Sequence, residues 1–187
     1  MRFVIVGQKW FAGAVLDLAV SHGEVLAVLS TAGSCRFAEK AAERGIPVAR
    51  DMSDLERMMR GRVVDLLITA HATKFVPASV RTLAAAAIGY HPSLLPRHRG
   101  ARAVQATIAA GDAIAGGTVF HLTDGWDEGP VAFQDWCFVP PSATVADLWR
   151  DELAPLGLDL LANAIRFYQQ RRVLPALRQD ERFSTRC

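Results

Sequence analysis

In the first half of the chain, short segments that are apolar at every position alternate with amphipathic segments. Of all the features of the sequence, this alternation restricts the possible fold classes most. The apolar segments lie at residues 3–6, 24–30, 46–49, 63–70 and 87–90. Strands that are apolar throughout, rather than at every second residue, are typical of parallel sheets covered on both faces. Helical spacing or helix-end signals occupy the intervening residues. The pattern predicts an α/β, Rossmann-like fold with a mostly parallel sheet and helices on both faces.

Some helix ends in this half carry recognisable signals. Ser53 with Glu56 three residues later has the pattern of a capping box and predicts a helix that ends at Gly61. Pro77 predicts the start of another helix, which we expect to continue through Ala86.

The pattern changes after His91. Two prolines and a glycine in residues 92–100 predict an ordered loop, followed by a helix over 103–110. Residues 118–123 and 131–139 predict two strands around a glycine-flanked loop, which favours a β-hairpin. A helical stretch then starts at Thr144, is interrupted by Pro155 and continues to about residue 171. We therefore expect a single catalytic domain over residues 1–187, ending in a C-terminal β-hairpin plus helix and a polar tail from about residue 172.

Composition excludes several classes of protein. The 187 residues carry a net charge of +2, too close to balance for a protein that mainly coats nucleic acid or an acidic membrane. Cys35, Cys137 and Cys187 are widely spaced without a CxxC pair, so neither a disulfide framework nor a thiolate zinc site is predicted. The sequence contains no segment that is long and apolar enough for a signal peptide or a membrane span. We expect a cytoplasmic, metal-free protein that binds no membrane.

His91 is the first candidate for chemistry. It directly follows a predicted strand, and in open parallel sheets ligands bind beyond the carboxyl ends of the strands. An imidazole there suits general acid or base catalysis, although the residue pattern alone leaves a structural role open. Asp127 lies in the hairpin loop between Gly125 and Gly129, where it could orient His91 or a water molecule. A turn aspartate that bonds its own backbone is the alternative.

Other residues and motifs are weaker candidates for a catalytic or binding role. His98 lies among arginines in a loop, and we expect His121 to pack within a strand. The turn at residues 7–13 matches neither GxGxxG nor GxxxxGK, so it predicts neither NAD nor ATP binding. The arginines of the C-terminal part fit a solvated helix face at least as well as an RNA-binding surface.

Two segments together carry a family resemblance: YHPSLLPRHRG at residues 90–100 and GTVFHLTDGWDEGP at residues 117–130. They resemble the folate-dependent formyltransferases, which include glycinamide ribonucleotide, methionyl-tRNA and sugar N-formyltransferases and the hydrolase domain of 10-formyltetrahydrofolate dehydrogenase. Residues 6–11, 73–77 and 179–185 resemble further parts of the same catalytic domain.

The resemblance implies transfer of the formyl group of 10-formyltetrahydrofolate to an amine. It assigns the catalytic roles to His91 and Asp127, as an imidazolium that stabilises the oxyanion and a carboxylate that relays a proton. It also assigns contacts with the folate to two loops, and the residues are Thr73, Lys74, Phe75, Val76, Thr123, Asp124, Gly125, Trp126 and Glu128.

The chain departs from the family pattern at Gly89. The family usually has an asparagine two residues before the histidine, whereas glycine supplies no side-chain amide to an oxyanion. The hydrolase domain of the dehydrogenase also has the YHPSLLPRHRG stretch without that asparagine. Formyl transfer, hydrolysis of the same donor, and folate binding with little turnover therefore remain alternatives. Since the chain stops where tRNA-modifying relatives begin a second domain, we expect no second C-terminal domain and a small-molecule amine as acceptor rather than nucleic acid.

Overall fold

The computed structural model describes residues 1–33 and 35–187. Its strands are β1 (Arg2–Gly7), β2 (Glu24–Ser30), β3 (Val48–Ala49), β4 (Val64–Ala70), β5 (Ala84–His91), β6 (Ile114–His121) and β7 (Val131–Phe138). Its α-helices are α1 (Lys9–His22), α2 (Arg36–Glu43), α3 (Met52–Met59), α4 (Ala78–Arg81), α5 (Ala103–Ala109), α6 (Val145–Asp147) and α7 (Ala154–Arg171). The strands form a seven-stranded sheet in the order β3–β2–β1–β4–β5–β6–β7. The predicted α/β class with a mostly parallel sheet is confirmed.

The chain divides into two compact units, Met1–Gly89 and Tyr90–Cys187. In the first unit, β1 pairs in parallel with β2 and β4, and β3 and β5 extend the sheet in parallel on either side. Phe3 and Ile5 of β1 and Leu66 and Ile68 of β4 are completely buried. The continuous apolar segments are therefore the buried strands that the sequence predicts. A single domain over residues 1–187 stays a prediction.

The start of α3 differs from its prediction. Asp51, not Ser53, is the N-cap, and its side chain accepts a hydrogen bond from the Asp54 amide at 2.8 Å. Aspartate and serine are equally good N-cap residues, so the spacing to Glu56 favoured the wrong one. The Asp54 carboxylate in turn accepts the Arg50 amide at 3.0 Å, which satisfies a further donor at this helix end.

The helix that begins after Pro77 is also shorter than predicted. It ends at Arg81, and β5 begins at Ala84, three residues before the predicted strand. Alanines favour helix in isolation, but Ala84 and Ala86 here pair with Val64 and Leu66 of β4. Pairing with a buried strand therefore outweighs the local preference.

In the second unit, β6 and β7 pair antiparallel, which confirms the predicted hairpin. The first strand of the hairpin, β6, begins four residues earlier and ends two residues earlier than predicted, so Thr123 belongs to the connecting loop. The Thr144 side chain accepts the Asp147 amide and the Asp147 carboxylate accepts the Thr144 amide, which completes a capping box. A π-helical segment, Leu148–Leu153, precedes Pro155, which lies in the first turn of α7 where a missing N–H is tolerated.

Tyr90, the residue before His91, is held tightly in this unit. Its side chain lies against Gly117 of β6 and Gly157 of α7, where an added Cβ would come within 2.4 Å of the hydroxyl oxygen and 2.6 Å of the ring, respectively. Its hydroxyl donates to the Leu153 carbonyl at 2.6 Å. Burial raises the pKa of this hydroxyl far above its usual value, so the tyrosine stays neutral. The contacts fix the end of β5 and with it the backbone of His91.

The segment after α7 pairs with the first residue of β7 and with the loop that follows β5. Leu177 bridges antiparallel to Val131, and Arg186 bridges parallel to Arg99. A short 3-10 helix, Glu181–Phe183, lies between these bridges. The predicted polar tail is thus an ordered segment beside residues 96–100. In the described ranges, every helix is too short or too polar to cross a bilayer.

Candidate active site

His91 is the last residue of β5 and is 6% exposed. Its Nε2 lies 2.8 Å from the carbonyl oxygen of His98. Because a carbonyl oxygen can only accept, Nε2 carries a hydrogen and donates it. The Phe120 ring packs edge-on against the imidazole, with 6.4 Å between ring centroids. These contacts fix both the orientation and the tautomer of the ring, and they leave Nδ1 as the nitrogen available for proton transfer.

Asp127 brings its carboxylate to that free nitrogen. Oδ1 lies 3.6 Å from His91 Nδ1, and Oδ2 accepts a hydrogen bond from the Gly100 amide at 2.9 Å. The backbone of Asp127 is left-handed, with φ at 57°, a conformation that aspartate and asparagine tolerate better than most residues. Gly100 has φ at 111°, and an added Cβ would meet the Cys187 carbonyl at 2.3 Å. Glycine at position 100 therefore permits both the close approach of Cys187 and the backbone conformation from which the Gly100 amide donates to the carboxylate.

The His91 imidazole and the Asp127 carboxylate can share one proton between them. In the neutral ring with hydrogen on Nε2, the Nδ1 lone pair would face the carboxylate. A proton on Nδ1 converts that repulsive arrangement into an attraction between imidazolium and carboxylate. The 3.6 Å separation exceeds a direct hydrogen bond, and hydrogen bonds between catalytic groups commonly tighten in the substrate complex. His91 and Asp127 can therefore hold, give and take one proton at Nδ1.

The loop at residues 92–100 is anchored through Thr118, a fully buried residue of β6. The Thr118 hydroxyl donates to the Ser93 carbonyl at 2.6 Å and accepts the Leu95 amide at 3.2 Å. It also accepts the Gln134 side-chain amide at 2.8 Å. This network fixes the loop whose later residues contact His91 and Asp127.

The two weaker histidine candidates have structural contacts. His98 Nε2 lies 2.8 Å from an Asp112 carboxylate oxygen, while the His98 carbonyl holds His91. His121 Nε2 donates to the Pro175 carbonyl at 2.8 Å. Neither imidazole is paired with Asp127.

The segments assigned to folate binding lie in different units. Residues 73–76 follow β4 in the first unit, where Val76 is buried and the Arg81 guanidinium lies 5.9 Å from the Phe75 ring centroid. Residues 123–128 form the loop between β6 and β7, on which Trp126 is 50% exposed. Glu128 of this loop forms an ion pair with Arg186. Asp127 therefore shares its loop with the second group of predicted folate contacts.

Three residues beside the site have contacts that the sequence analysis did not assign. Arg99 is 2% exposed, and its guanidinium bonds the side chains of Gln179 and Glu181. The position of Arg99 inside the distinctive 90–100 segment could have indicated a role near the site. An arginine in a loop, however, is equally typical of a solvated surface. In residues 1–33 and 35–187, no group of three or more His, Cys, Asp or Glu side chains is arranged to hold a metal ion.

Comparison with known sequences identifies a family for the chain. The family model described as formyl transferase matches residues 1–161. The chain is 31% identical over 180 residues to mouse mitochondrial 10-formyltetrahydrofolate dehydrogenase, covering 88% of this chain and 20% of that protein. It is 32% identical over 184 residues to methionyl-tRNA formyltransferase of Brucella ovis, covering 88% of this chain and 59% of that protein. The chain thus spans about a fifth of the length of the dehydrogenase.

Solved structures share the fold. Glycinamide ribonucleotide transformylase 1 from Symbiobacterium toebii is 26% identical, with a TM-score of 0.80 and coverage of 95% of this chain and 94% of that chain. An N-formyltransferase from Helicobacter canadensis, solved with folinic acid and dTDP-3-aminofucose, is 16% identical with a TM-score of 0.81. That comparison covers 100% of this chain and 70% of the other. With a family model that spans most of its length, the chain belongs to the formyl transferase family.

Proposed function

We propose that this chain transfers the formyl group of 10-formyltetrahydrofolate to the amino group of a small molecule. The observation that carries the proposal is the His91–Asp127 pair, with Oδ1 and Nδ1 3.6 Å apart and every other polar atom of the two side chains hydrogen-bonded. Acyl transfer needs a donor for the developing oxyanion and an acceptor for the amine proton. The pair supplies both functions at adjoining atoms.

The proposed reaction moves one proton from the amine to the donor. The amine lone pair adds to the formyl carbon, and the carbonyl electron pair becomes an oxyanion. Protonated His91 stabilises this oxyanion through its Nδ1–H, while its Nε2–H stays bonded to the His98 carbonyl. Asp127 accepts the amine proton, directly or through water. When the oxyanion collapses, the bond from carbon to N10 of the folate breaks, and the relayed proton goes to that nitrogen.

We assign folate contacts to the loop at residues 123–128 because it carries Asp127 and because half of the Trp126 surface is open to a planar ring. The relative from Helicobacter canadensis was solved with folinic acid, which supports a folate as the ligand class. The contribution of residues 73–76 stays a prediction.

Folinic acid, the 5-formyl isomer of the donor, is expected to stabilise the protein without being consumed. A ligand that binds only the folded state adds about 2.7 kcal/mol at a concentration a hundredfold above its dissociation constant. A thermal-shift titration measures this effect, and we expect His91→Ala to retain it. Trp126→Asp should reduce the shift, whereas Trp136→Asp, at a similarly exposed tryptophan on β7, serves as the matched control. Gly125 is a poor position for this test, since any side chain there meets Glu128.

The absence of a thermal shift at millimolar folinic acid, with the protein folded, would contradict folate binding. Equal loss in the Trp126 and Trp136 variants would remove the loop from the binding site.

Hydrolysis of 10-formyltetrahydrofolate is the second candidate. The similarity to 10-formyltetrahydrofolate dehydrogenases favours it. Glycine at position 89 does not separate hydrolysis from transfer, because attack by water and attack by an amine form the same kind of oxyanion. Donor consumption that is independent of any added amine would support hydrolysis, and binding without consumption would support a folate-binding module.

Gly89→Asn tests the missing amide. Residues 89 and 91 both belong to β5 and lie on the same face of the strand, so an asparagine would direct its amide toward the side of His91. Because one oxyanion donor is worth about 10²–10³ in rate, we expect an increase in turnover of at least about tenfold. Gly89→Ala is the control, since it adds a side chain without an amide. A folded asparagine variant with the turnover of the alanine variant would show that the departure has no catalytic effect.

A further inference from the structure

A buried arginine joins the C-terminal segment to the candidate active site. The Arg99 guanidinium donates to Gln179 Oε1 through Nε at 3.1 Å and Nη2 at 2.6 Å. It also donates to both carboxylate oxygens of Glu181, at 2.9 Å and 2.7 Å. The Arg99 side chain is 2% exposed, whereas that of Glu181 is 67% exposed. Glu181 therefore lies at the outer end of this network and Gln179 at its inner end.

Both the oxygen and the nitrogen of the Gln179 side-chain amide form hydrogen bonds. While Oε1 accepts from Arg99, Nε2 donates to the Asp127 carbonyl at 2.9 Å and to the Gly129 carbonyl at 2.7 Å. The side chain thus bridges the backbone on both sides of Glu128. This is the stretch in which Asp127 adopts its left-handed conformation.

From these contacts we propose that Gln179, held by Arg99, is a positioning residue that sets the Asp127 carboxylate against His91. The proposal rests on the proposed function, because it takes Asp127 and His91 as the reacting pair. The Gln179 amide donates to backbone carbonyls of the loop and acts through the Asp127 backbone. Residues other than glycine adopt the left-handed conformation only at isolated positions, and the two hydrogen bonds from Gln179 hold Asp127 in it.

A small movement of this loop would have a large effect on rate. Asp127 Oδ1 is already 3.6 Å from Nδ1, and its other oxygen depends on a single amide of Gly100. Displacement of a reacting group by about 1 Å costs about 10²-fold in rate even when the change is remote from the chemistry. Loss of the Gln179 bridge is therefore expected to lower kcat with less change in KM.

Two substitutions test the proposal, one at each of the two residues that accept hydrogen bonds from the Arg99 guanidinium. Gln179→Glu keeps an oxygen acceptor for Arg99 but replaces the amide donor that bridges the two carbonyls. We expect kcat to fall at least tenfold, with KM for the formyl donor changed less than threefold and Tm within a few degrees of wild type. Glu181→Gln keeps an acceptor for Arg99 at the exposed end of the network, where the hydrogen bonds of Glu181 go to Arg99, so we expect its kcat to stay within twofold.

The ring nitrogen signal of His91 provides a readout that a purely structural role would not change. At fixed pH, we expect the 15Nδ1 resonance of His91 to move in the same direction in Gln179→Glu as in Asp127→Asn, and to stay near the wild-type value in Glu181→Gln. If the glutamate variant does not fold, Gln179→Met, which also removes the donor, is scored by the same criteria.

A folded Gln179 variant with wild-type kcat and an unmoved His91 resonance would overturn the proposal. Equal losses in the Gln179 and Glu181 variants would also overturn it, since they would indicate general stabilisation. If the wild-type protein consumes no donor, the proposed function fails, while the resonance still reports whether Gln179 sets the contact between Asp127 and His91.

Discussion

Replacement of His91 by alanine is expected to lower formyl transfer by at least about 10³-fold while the protein stays folded. The imidazole supplies both oxyanion stabilisation and proton transfer in the proposed reaction, and each is typically worth about 10²–10³-fold or more. Its imidazole donates to the His98 carbonyl, faces the Asp127 carboxylate and lies against one core ring, that of Phe120, so we expect the rest of the apolar core to stay in place when it is removed. Steady-state consumption of 10-formyltetrahydrofolate measures the loss.

Asp127→Asn is the companion variant for this prediction. Asparagine tolerates the left-handed backbone and can still accept the Gly100 amide, so the variant removes the negative charge and little else. We expect a loss of about 10²–10⁴-fold. His121→Ala is the control, because His121 also donates to a backbone carbonyl but has no contact with Asp127. Near-wild-type activity in the His91 or Asp127 variant would remove that residue from the mechanism.

Gly157→Ala is expected to lower the free energy of unfolding by about 1–3 kcal/mol, the usual cost of overpacking a core. The new Cβ would come within 2.6 Å of the Tyr90 ring, which also lies against Gly117 and therefore has no free side to move toward. For a chain of this size the change corresponds to a Tm lower by about 2–4 °C for each kcal/mol.

Gly13→Ala is the matched control, since Gly13 also lies inside a helix. An added Cβ there has only Lys40 Cδ nearby, at 3.8 Å, so the variant should gain the usual helix stabilisation of about 0.5–1 kcal/mol. Thermal denaturation of both variants provides the comparison. Equal Tm values would contradict the tight packing around Tyr90.

Strands β1, β2 and β4 could be predicted because they are buried on both faces, and this burial appears in the sequence as continuous apolar segments. Element ends were harder to predict where two residues compete for one role. Asp51 and Ser53 are both good N-caps, and only the structure shows that Asp51 takes the position. The alanines of β5 favour a helix locally, and their strand conformation depends on pairing with β4. That pairing is a long-range interaction that local preference does not contain.

His91 and Asp127 could be selected because strand ends and glycine-flanked loops are recognisable along the chain. Their mutual approach could not be derived from spacing, since it depends on the Gly100 amide and on the anchoring of the loop by Thr118. The role of Gln179 was even harder to predict from the sequence. It lies 52 residues from Asp127 and contacts only backbone there, and such a contact leaves no residue-type pattern around the aspartate.

Consumption of 10-formyltetrahydrofolate with and without a panel of small amines tests the central claim most directly. The assay follows formation of tetrahydrofolate and of the N-formylated amine, with Asp127→Asn as the inactive reference. We predict that tetrahydrofolate forms faster when an accepting amine is present, with one formylated product for each tetrahydrofolate released. Release at the same rate with and without every amine would contradict formyl transfer and establish hydrolysis of the donor instead.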